Sequence, residues 1–224
     1  LTSVIDPGES DTVIDFLENR NWHLNEIVNT HHHHDHIGGN AKLQEIYKSK
    51  LIAPCYDKNR IPNVDVLVSD DDWITIAGKK TKVIHTPGHT LGHVCFFIPS
   101  EKILFSGDTM FYLGCGRVFE GTMDQMWLSL LKLRSLPDDT MVYCGHEYTS
   151  SNAKFATHID PNNQSLQGAS IEIKNKMKKK LPTKKFELGK DKIINPCLRA
   201  DNQMLIKSIG LKTDNTSEDV RMLR

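Results

Sequence analysis

The stretch Ile27-Val28-Asn29-Thr30-His31-His32-His33-His34-Asp35-His36-Ile37-Gly38-Gly39 decides the fold. It opens on β-branched residues that end a strand over 26–29. It closes on a glycine pair ahead of a helix with Leu43, Ile46 and Tyr47 at helical spacing. Between the two lie five histidines and an aspartate. In extended chain alternate side chains share a side, so His31, His33 and Asp35 project together just past the strand. His36 joins them where the chain turns toward Gly38. Imidazoles and a carboxylate this close together suit Zn, Fe or Mn. Runs of histidine also occur in purification tags, but a tag sits at a terminus, not between a strand and a helix. His32 and His34 alternate with the others and should point away, toward packing or supporting bonds.

Three more loops extend the pattern. Thr86-Pro87-Gly88-His89, Phe105-Ser106-Gly107-Asp108 and Cys144-Gly145-His146-Glu147 each follow a β-rich run. Active-site residues of layered α/β proteins gather on such loops at strand ends. Any one of them alone would read as an ordinary turn. Together they give His31, His33, Asp35, His36, His89, Asp108 and His146, too many donors for one tetrahedral ion. The set fits two metals sharing a carboxylate. His93 reads as a support for a ligand or for structure, and His23, His85 and His158 as ordinary.

The rest of residues 1–149 alternates between strand and helix. A strand over 4–6 precedes a helix that Ser10 or Asp11 can cap, carrying Val13, Ile14 and Leu17. Short β-rich runs follow at 51–53, 64–68, 73–76, 81–85, 94–98 and 103–105. A helix over 124–133 bears Met126, Trp127, Leu130 and Leu133 on one stripe, and 141–144 is a last strand. Beyond residue 150 the β signal fades, and helices are expected over 152–158, 164–181, 202–209 and 217–224. The pattern predicts an α+β fold, with sheets covered by helices.

The 224 residues carry 28 Lys+Arg and 28 Asp+Glu, a net charge of zero that conceals a split. Residues 1–150 hold 13 basic against 20 acidic side chains, and residues 151–224 hold 15 against 8. Ten of the eleven histidines lie in the acidic part. The longest apolar run, Val94–Ile98, is far short of the roughly 20 residues that cross a membrane. No basic-then-apolar leader opens the chain. Five widely spaced cysteines without a Cys-x-x-Cys argue against a disulfide framework and for a reducing cytoplasm. The lysines crowd one helix end with little aromatic interleaving, which disfavours a nucleic-acid groove.

The ligand pattern resembles the metallo-β-lactamase superfamily, in which H-x-H-x-D-H opens the site and a later His, Asp and His complete it. Within it the chain is similar to the hydroxyacylglutathione hydrolase (glyoxalase II) family. Gly107-Asp108-Thr109-Met110-Phe111, Gly114-Cys115-Gly116-Arg117-Val118-Phe119-Glu120-Gly121-Thr122, Cys144-Gly145-His146-Glu147-Tyr148-Thr149 and Asn195-Pro196 carry the likeness.

The resemblance implies an αββα sandwich over 1–149 that binds metal, followed by a helical substrate-binding domain over 150–224, clipped at its C-terminus. It implies two divalent metal ions, Zn first, with Fe or Mn as alternatives. His31, His33 and His89 would hold one, Asp35, His36 and His146 the other, and Asp108 would bridge. Asp35 and Asp108 would thereby position the nucleophile. Arg117, Phe119, Tyr148, Asn152 and Arg224 would contact a glutathione thioester, hydrolysed to glutathione and a 2-hydroxy acid such as D-lactate in the second step of methylglyoxal detoxification. A monomer with neither nucleic-acid nor membrane partners is expected. The chain departs from the family in Phe119, where many members have Tyr. It also lacks a Lys beyond Arg224 and a β-hairpin before Val4. A mono-iron persulfide dioxygenase and a nucleic-acid-processing member are the rival readings.

Overall fold

The computed structural model describes residues 1–210. Two sheets face each other. The first is wholly parallel, in the order β1 (Ser3–Ile5), β2 (Glu26–Val28), β3 (Lys50–Pro54), β4 (Val66–Val68). Helices α1 (Asp11–Glu18), α2 (His34–Ile37) and α3 (Asn40–Tyr47) lie in its connections. The second sheet is mixed. It takes in β5 (Trp73–Ile76), β6 (Lys79–His85), β7 (Val94–Ile98) and β8 (Ile103–Gly107) as an antiparallel run. A small hairpin, β9 (Met110–Phe111) and β10 (Gly114–Cys115), then leads to helix α4 (Met123–Arg134) and strand β11 (Met141–Cys144). β11 returns parallel to β8, so β6, β8 and β11 all end on one edge.

The layers follow from side-chain alternation along the strands. Ile27, Leu51 and Ala53 pack outward with Leu17 of α1 and Leu43 of α3. Their neighbours Val28 and Ile52 point inward, against Val83, Val94 and Phe96 of the other sheet. On that sheet Ile84, Cys95 and Phe97 face out onto Met126, Trp127, Leu130 and Leu133 of α4. Successive residues therefore serve opposite layers, and the apolar run Val94–Ile98 is buried throughout because both faces of its strand are covered. The order helix, sheet, sheet, helix is the sandwich expected above.

Helices α5 (Thr149–Ile159), α6 (Gln164–Lys178), α7 (Leu188–Ile194) and α8 (Gln203–Ser208) follow. Asn163 and Asn202 cap α6 and α8 through their side-chain oxygens. Two differences from the sequence reading have local causes. Ser10 offers α1 no side-chain cap, because its backbone is already helical (φ −92, ψ −37) rather than extended as a capping residue's is. And the β signal does not end at residue 150: β12 (Lys185–Glu187) adds to the second sheet, antiparallel to β11. Only Phe186 of that strand is buried, so three residues among lysines leave no alternation to read. The helix read over 217–224 lies outside the described residues.

Asp191 of α7 joins this C-terminal part to the β9–β10 hairpin. It is fully buried, accepts the Leu113 N–H at 2.9 Å and accepts an Asn195 amide N–H at 2.8 Å. The same Asn195 amide nitrogen is 3.2 Å from the Gly114 carbonyl. Burial pushes the Asp191 carboxyl up from 3.8 to about 7, against the two hydrogen bonds. An acid whose folded pKa is raised stabilises the fold most below its unfolded pKa. That contribution is lost as pH rises through the folded value. The stability of the wild type relative to Asp191→Asn should therefore fall between pH 3.8 and about 7 and level off above. Urea denaturation of both metal-free proteins across this range checks it. A difference independent of pH would refute the assignment.

Candidate metal centre

Every loop singled out in the sequence reaches the same edge of the sandwich. His31 and His33 follow β2, His89 follows β6, Asp108 follows β8 and His146 follows β11. Asp35 and His36 stand on α2, a single helical turn, rather than on extended chain. The turn brings His36 back toward His31, their ring centroids 4.2 Å apart, and leaves Asp35 the most exposed of the seven.

Two triads result. His31 Nε2 and His89 Nε2 each lie 3.1 Å from His33 Nδ1. His146 Nε2 is 3.1 Å from His36 Nε2 and 3.2 Å from Asp35 Oδ2. Asp108 spans them: Oδ1 is 3.4 Å from His36 Nε2, and Oδ2 is 3.5 Å from His89 Nε2 and 3.4 Å from His146 Nε2.

Hydrogen bonds on the far side of the rings assign their tautomers. His89 Nδ1 donates to the Arg117 carbonyl at 2.8 Å, which leaves Nε2 with its lone pair facing inward. Asp6 accepts from the Thr30 N–H and hydroxyl, both at 2.7 Å. The Thr30 oxygen therefore accepts from His31 Nδ1 at 2.9 Å, and His31 Nε2 also keeps its lone pair facing inward. The other Asp6 partner is His36 Nδ1, 3.0 Å from Oδ2. Lone pairs of His31 and His89, and Nε2 of His36, thus converge with the carboxylates Asp35 and Asp108. Zn–N bonds of about 2.0–2.1 Å put tetrahedral donors about 3.4 Å apart, close to the spacings seen. Asp108 Oδ1 is buried without a hydrogen-bond donor, as an oxygen awaiting a cation would be. The donor set fits divalent metal.

The electrostatics point the same way. Burial acts to raise the Asp108 pKa, but the His146 and His36 contacts outweigh it and hold the carboxyl well below the ordinary range. Burial acts to lower His36, yet Asp108 and Asp6 raise it to about 10. Burial first, and the neighbouring imidazoles after it, take His31 and His93 far down. The cluster of carboxylates calls for positive charge at its centre.

Further residues hold Asp108 in place. His93 Nε2 accepts the Asp108 N–H at 3.0 Å, and its Nδ1 is 2.9 Å from the Thr86 hydroxyl. It is the supporting histidine read from the sequence. Gly107 has φ +47, and a Cβ there would sit 2.6 Å from the Thr30 hydroxyl, so only glycine fits. Asp6 and Thr30 were not singled out in the sequence. Their signal is the same as that of Asp108: a polar residue directly after a strand, here before Pro7-Gly8.

The centre opens into a cavity of about 760 Å³. Arg117, Phe119, Tyr148 and Asn152 line it, as expected. The Phe119 ring meets His33 and His89 edge-on at 5.7 and 5.3 Å, and Tyr148 stacks on His146 at 5.2 Å. Asn152 already donates to the Tyr112 carbonyl at 3.0 Å, so part of its capacity is spent on the hairpin. Arg224 lies outside the described residues.

This sandwich, with its metal-fitting edge, is the metallo-β-lactamase fold. Residues 2–146 match the metallo-β-lactamase superfamily model. Residues 147–224 match that of the hydroxyacylglutathione hydrolase C-terminus. The hydroxyacylglutathione hydrolase of Pelagibacter ubique is 45% identical over 215 residues, covering 96% of this chain and 90% of the relative. That of Maricaulis maris is 43% identical over 217 residues, covering 97% and 85%. Among crystal structures, the BLEG-1 B3 metallo-β-lactamase superposes with a TM-score of 0.67 at 21% identity, covering 88% of each chain. ETHE1 from Myxococcus xanthus gives 0.66 at 22%, covering 96% and 84%. At that identity these two show the fold alone. The chain belongs to the hydroxyacylglutathione hydrolase family.

A Cβ on Gly145 would lie 2.4 Å from Asp108 Oδ1 and 2.8 Å from His36 Cε1. Gly145→Ala should therefore displace Asp108 and lower the metal content of the purified protein, read by atomic absorption. Unchanged metal content would show that Asp108 is not held where the two triads meet.

Proposed function

We propose that the chain hydrolyses the thioester of S-(2-hydroxyacyl)glutathione, S-D-lactoylglutathione among them, to glutathione and the 2-hydroxy acid. One observation carries the reading: a triad of three histidines and a triad of two histidines and an aspartate, linked by Asp108, occur in one chain with a C-terminal segment of the hydroxyacylglutathione hydrolase type. Relatives named for that activity match nearly the whole chain, which leaves the persulfide and nucleic-acid readings without support.

In this proposal His31, His33 and His89 hold one divalent cation, Asp35, His36 and His146 a second, and Asp108 both. Zn²⁺ is the first choice, with Fe or Mn according to supply. Bound there, the ions would lower the pKa of a water and polarise the thioester carbonyl. Asp35 and Asp108 keep carboxylates beside the nucleophile, and the His93 contact to the Asp108 N–H keeps the second of them in place. A thiol has a pKa of about 8.5, so the glutathione thiolate departs near neutral pH without a strong general acid. Arg117 offers a guanidinium to a glutathione carboxylate. The Phe119 ring lies edge-on against His33 and His89 of the first triad, and Tyr148 and Asn152 offer a hydroxyl and an amide to the same cavity. Arg224 is a fifth proposed contact.

The functional division is residues 1–149 for metal and 150–224 for substrate, in a cytoplasmic monomer. Among the described residues no helix is long and apolar enough to cross a membrane.

The test is hydrolysis of S-D-lactoylglutathione beside acetyl-CoA, with metal analysis of the same sample. Preference for the glutathione thioester is expected, as is loss of turnover after chelation and its return with Zn²⁺. Normal turnover by the metal-free protein would end the proposal.

A further inference from the structure

A second polar cluster lies behind the first triad. His32 turns away from the cradle, with Nδ1 3.2 Å from Asp57 Oδ2 and Nε2 3.5 Å from Glu120 Oε1. Asp57, in the 3-10 turn Cys55–Asp57 after β3, is fully buried, and neither of its oxygens has a conventional hydrogen-bond donor. Its polar neighbours are the His32 ring and, at 3.9 Å, the Arg60 guanidinium. Gly92 packs so closely on this carboxylate that a Cβ there would lie 2.6 Å from Oδ1. Glu120 is part of the cavity wall. Its Oε1 accepts from Arg60 Nη1 at 2.5 Å, and its Oε2 accepts the Leu91 N–H at 2.9 Å.

We infer that Glu120 is a positioning residue that couples the substrate-facing wall to both loops carrying His31, His33 and His89. One carboxylate oxygen holds Leu91, two residues beyond His89. The other, with Arg60, faces the ring of His32, whose chain neighbours are His31 and His33. The wall is tied at its backbone too. The N–H groups of Phe119 and Glu120 point at the His89 carbonyl, at 3.1 and 3.4 Å, and Gly121 N–H donates to the Gly88 carbonyl at 3.2 Å. Four segments distant in sequence thus meet at two carboxylates, one ring and one guanidinium. Removing the Glu120 carboxylate frees Leu91, strips Arg60 of its close partner and leaves His32 between Asp57 and a guanidinium no longer held in place. The 3.1 Å spacing of the first triad then loses its external brace. A substrate pressing on the wall at Arg117 and Phe119 bears on the same carboxylate.

This rests on the proposed function only in taking the first triad to hold a cation. The test therefore does not depend on turnover alone. Full-length wild type, Glu120→Ala and Glu120→Gln are loaded with Zn²⁺, and Zn²⁺ release to a chromogenic chelator is timed. The kcat and KM for S-D-lactoylglutathione and the Tm of the metal-free proteins are measured alongside. Glu120→Ala should release Zn²⁺ about ten-fold faster, the size of effect expected for partners outside the ligand set. Its kcat should fall while the metal-free Tm stays near wild type. Glu120→Gln keeps an acceptor for Leu91 but loses the charge, and should fall between the two. Release at the wild-type rate in Glu120→Ala overturns the inference, as does faster release accompanied by an equal loss of metal-free stability. Should the alanine variant fail to fold, wild-type release and kinetics in Glu120→Gln overturn it. Faster release from the variants of a protein without thioesterase activity would uphold the coupling and defeat the proposed function.

Discussion

The site depends on one largely buried carboxylate. Asp6, at the end of β1, accepts two hydrogen bonds from Thr30 and faces His36 Nδ1. Through the Thr30 hydroxyl it also fixes the tautomer of His31. A buried carboxylate without partners would cost several kcal/mol. Here every partner belongs to the 30–36 segment, so satisfying Asp6 and shaping the metal loop are the same event. β1 and β2 are parallel neighbours, which puts Asp6 and Thr30 side by side at the same strand ends. The fold supplies the register, and the register supplies the tautomers.

The second sheet contributes in the same way. β6, β8 and β11 run together because β7 returns antiparallel between the first two and β11 crosses over in parallel. Their ends deliver His89, Asp108 and His146 to one edge, and His93, on the way into β7, reaches back to hold the Asp108 backbone. The Asp108 carboxylate then faces histidines of both triads, and imidazoles from both sheets compensate its charge. Burial on its own would favour its neutral form. The surrounding rings reverse that preference, which keeps a formal negative charge where cations would sit.

Much of this was legible in the sequence because its signals are local. The strand-then-histidine pattern, the helix stripe from Met126 to Leu133 and the acids and histidines after strands each occupy a few consecutive residues. Three things were not legible. Asp35 sits on a helical turn, which alternation in an extended chain could not foretell, although the residue still reaches the site. Asp6 and Thr30 share with Asp108 the position after a strand, but their partnership arises only through pairing between strands, which no single segment reveals. β12 is a strand because Phe186 fills a gap beside Val142, a tertiary cause acting on a lysine-rich segment that carries no β pattern of its own.

The charge split also takes on a structural sense. The acidic part concentrates carboxylates at one edge, where Asp6, Asp35 and Asp108 lie within reach of the histidine rings. The C-terminal part does not stand apart from that edge. Asp191 and Asn195 grip the turn of the β9–β10 hairpin, while Asn152 holds the carbonyl of Tyr112. Phe111, on the same hairpin, packs against Tyr148 and His146. A displacement of α7 would therefore be felt at His146 through the hairpin and the Phe111 ring, and one of α5 also through the chain itself, since Thr149 lies three residues after His146. The substrate-facing wall and the metal-facing edge are one packed unit, and the boundary seen in composition is not a mechanical boundary.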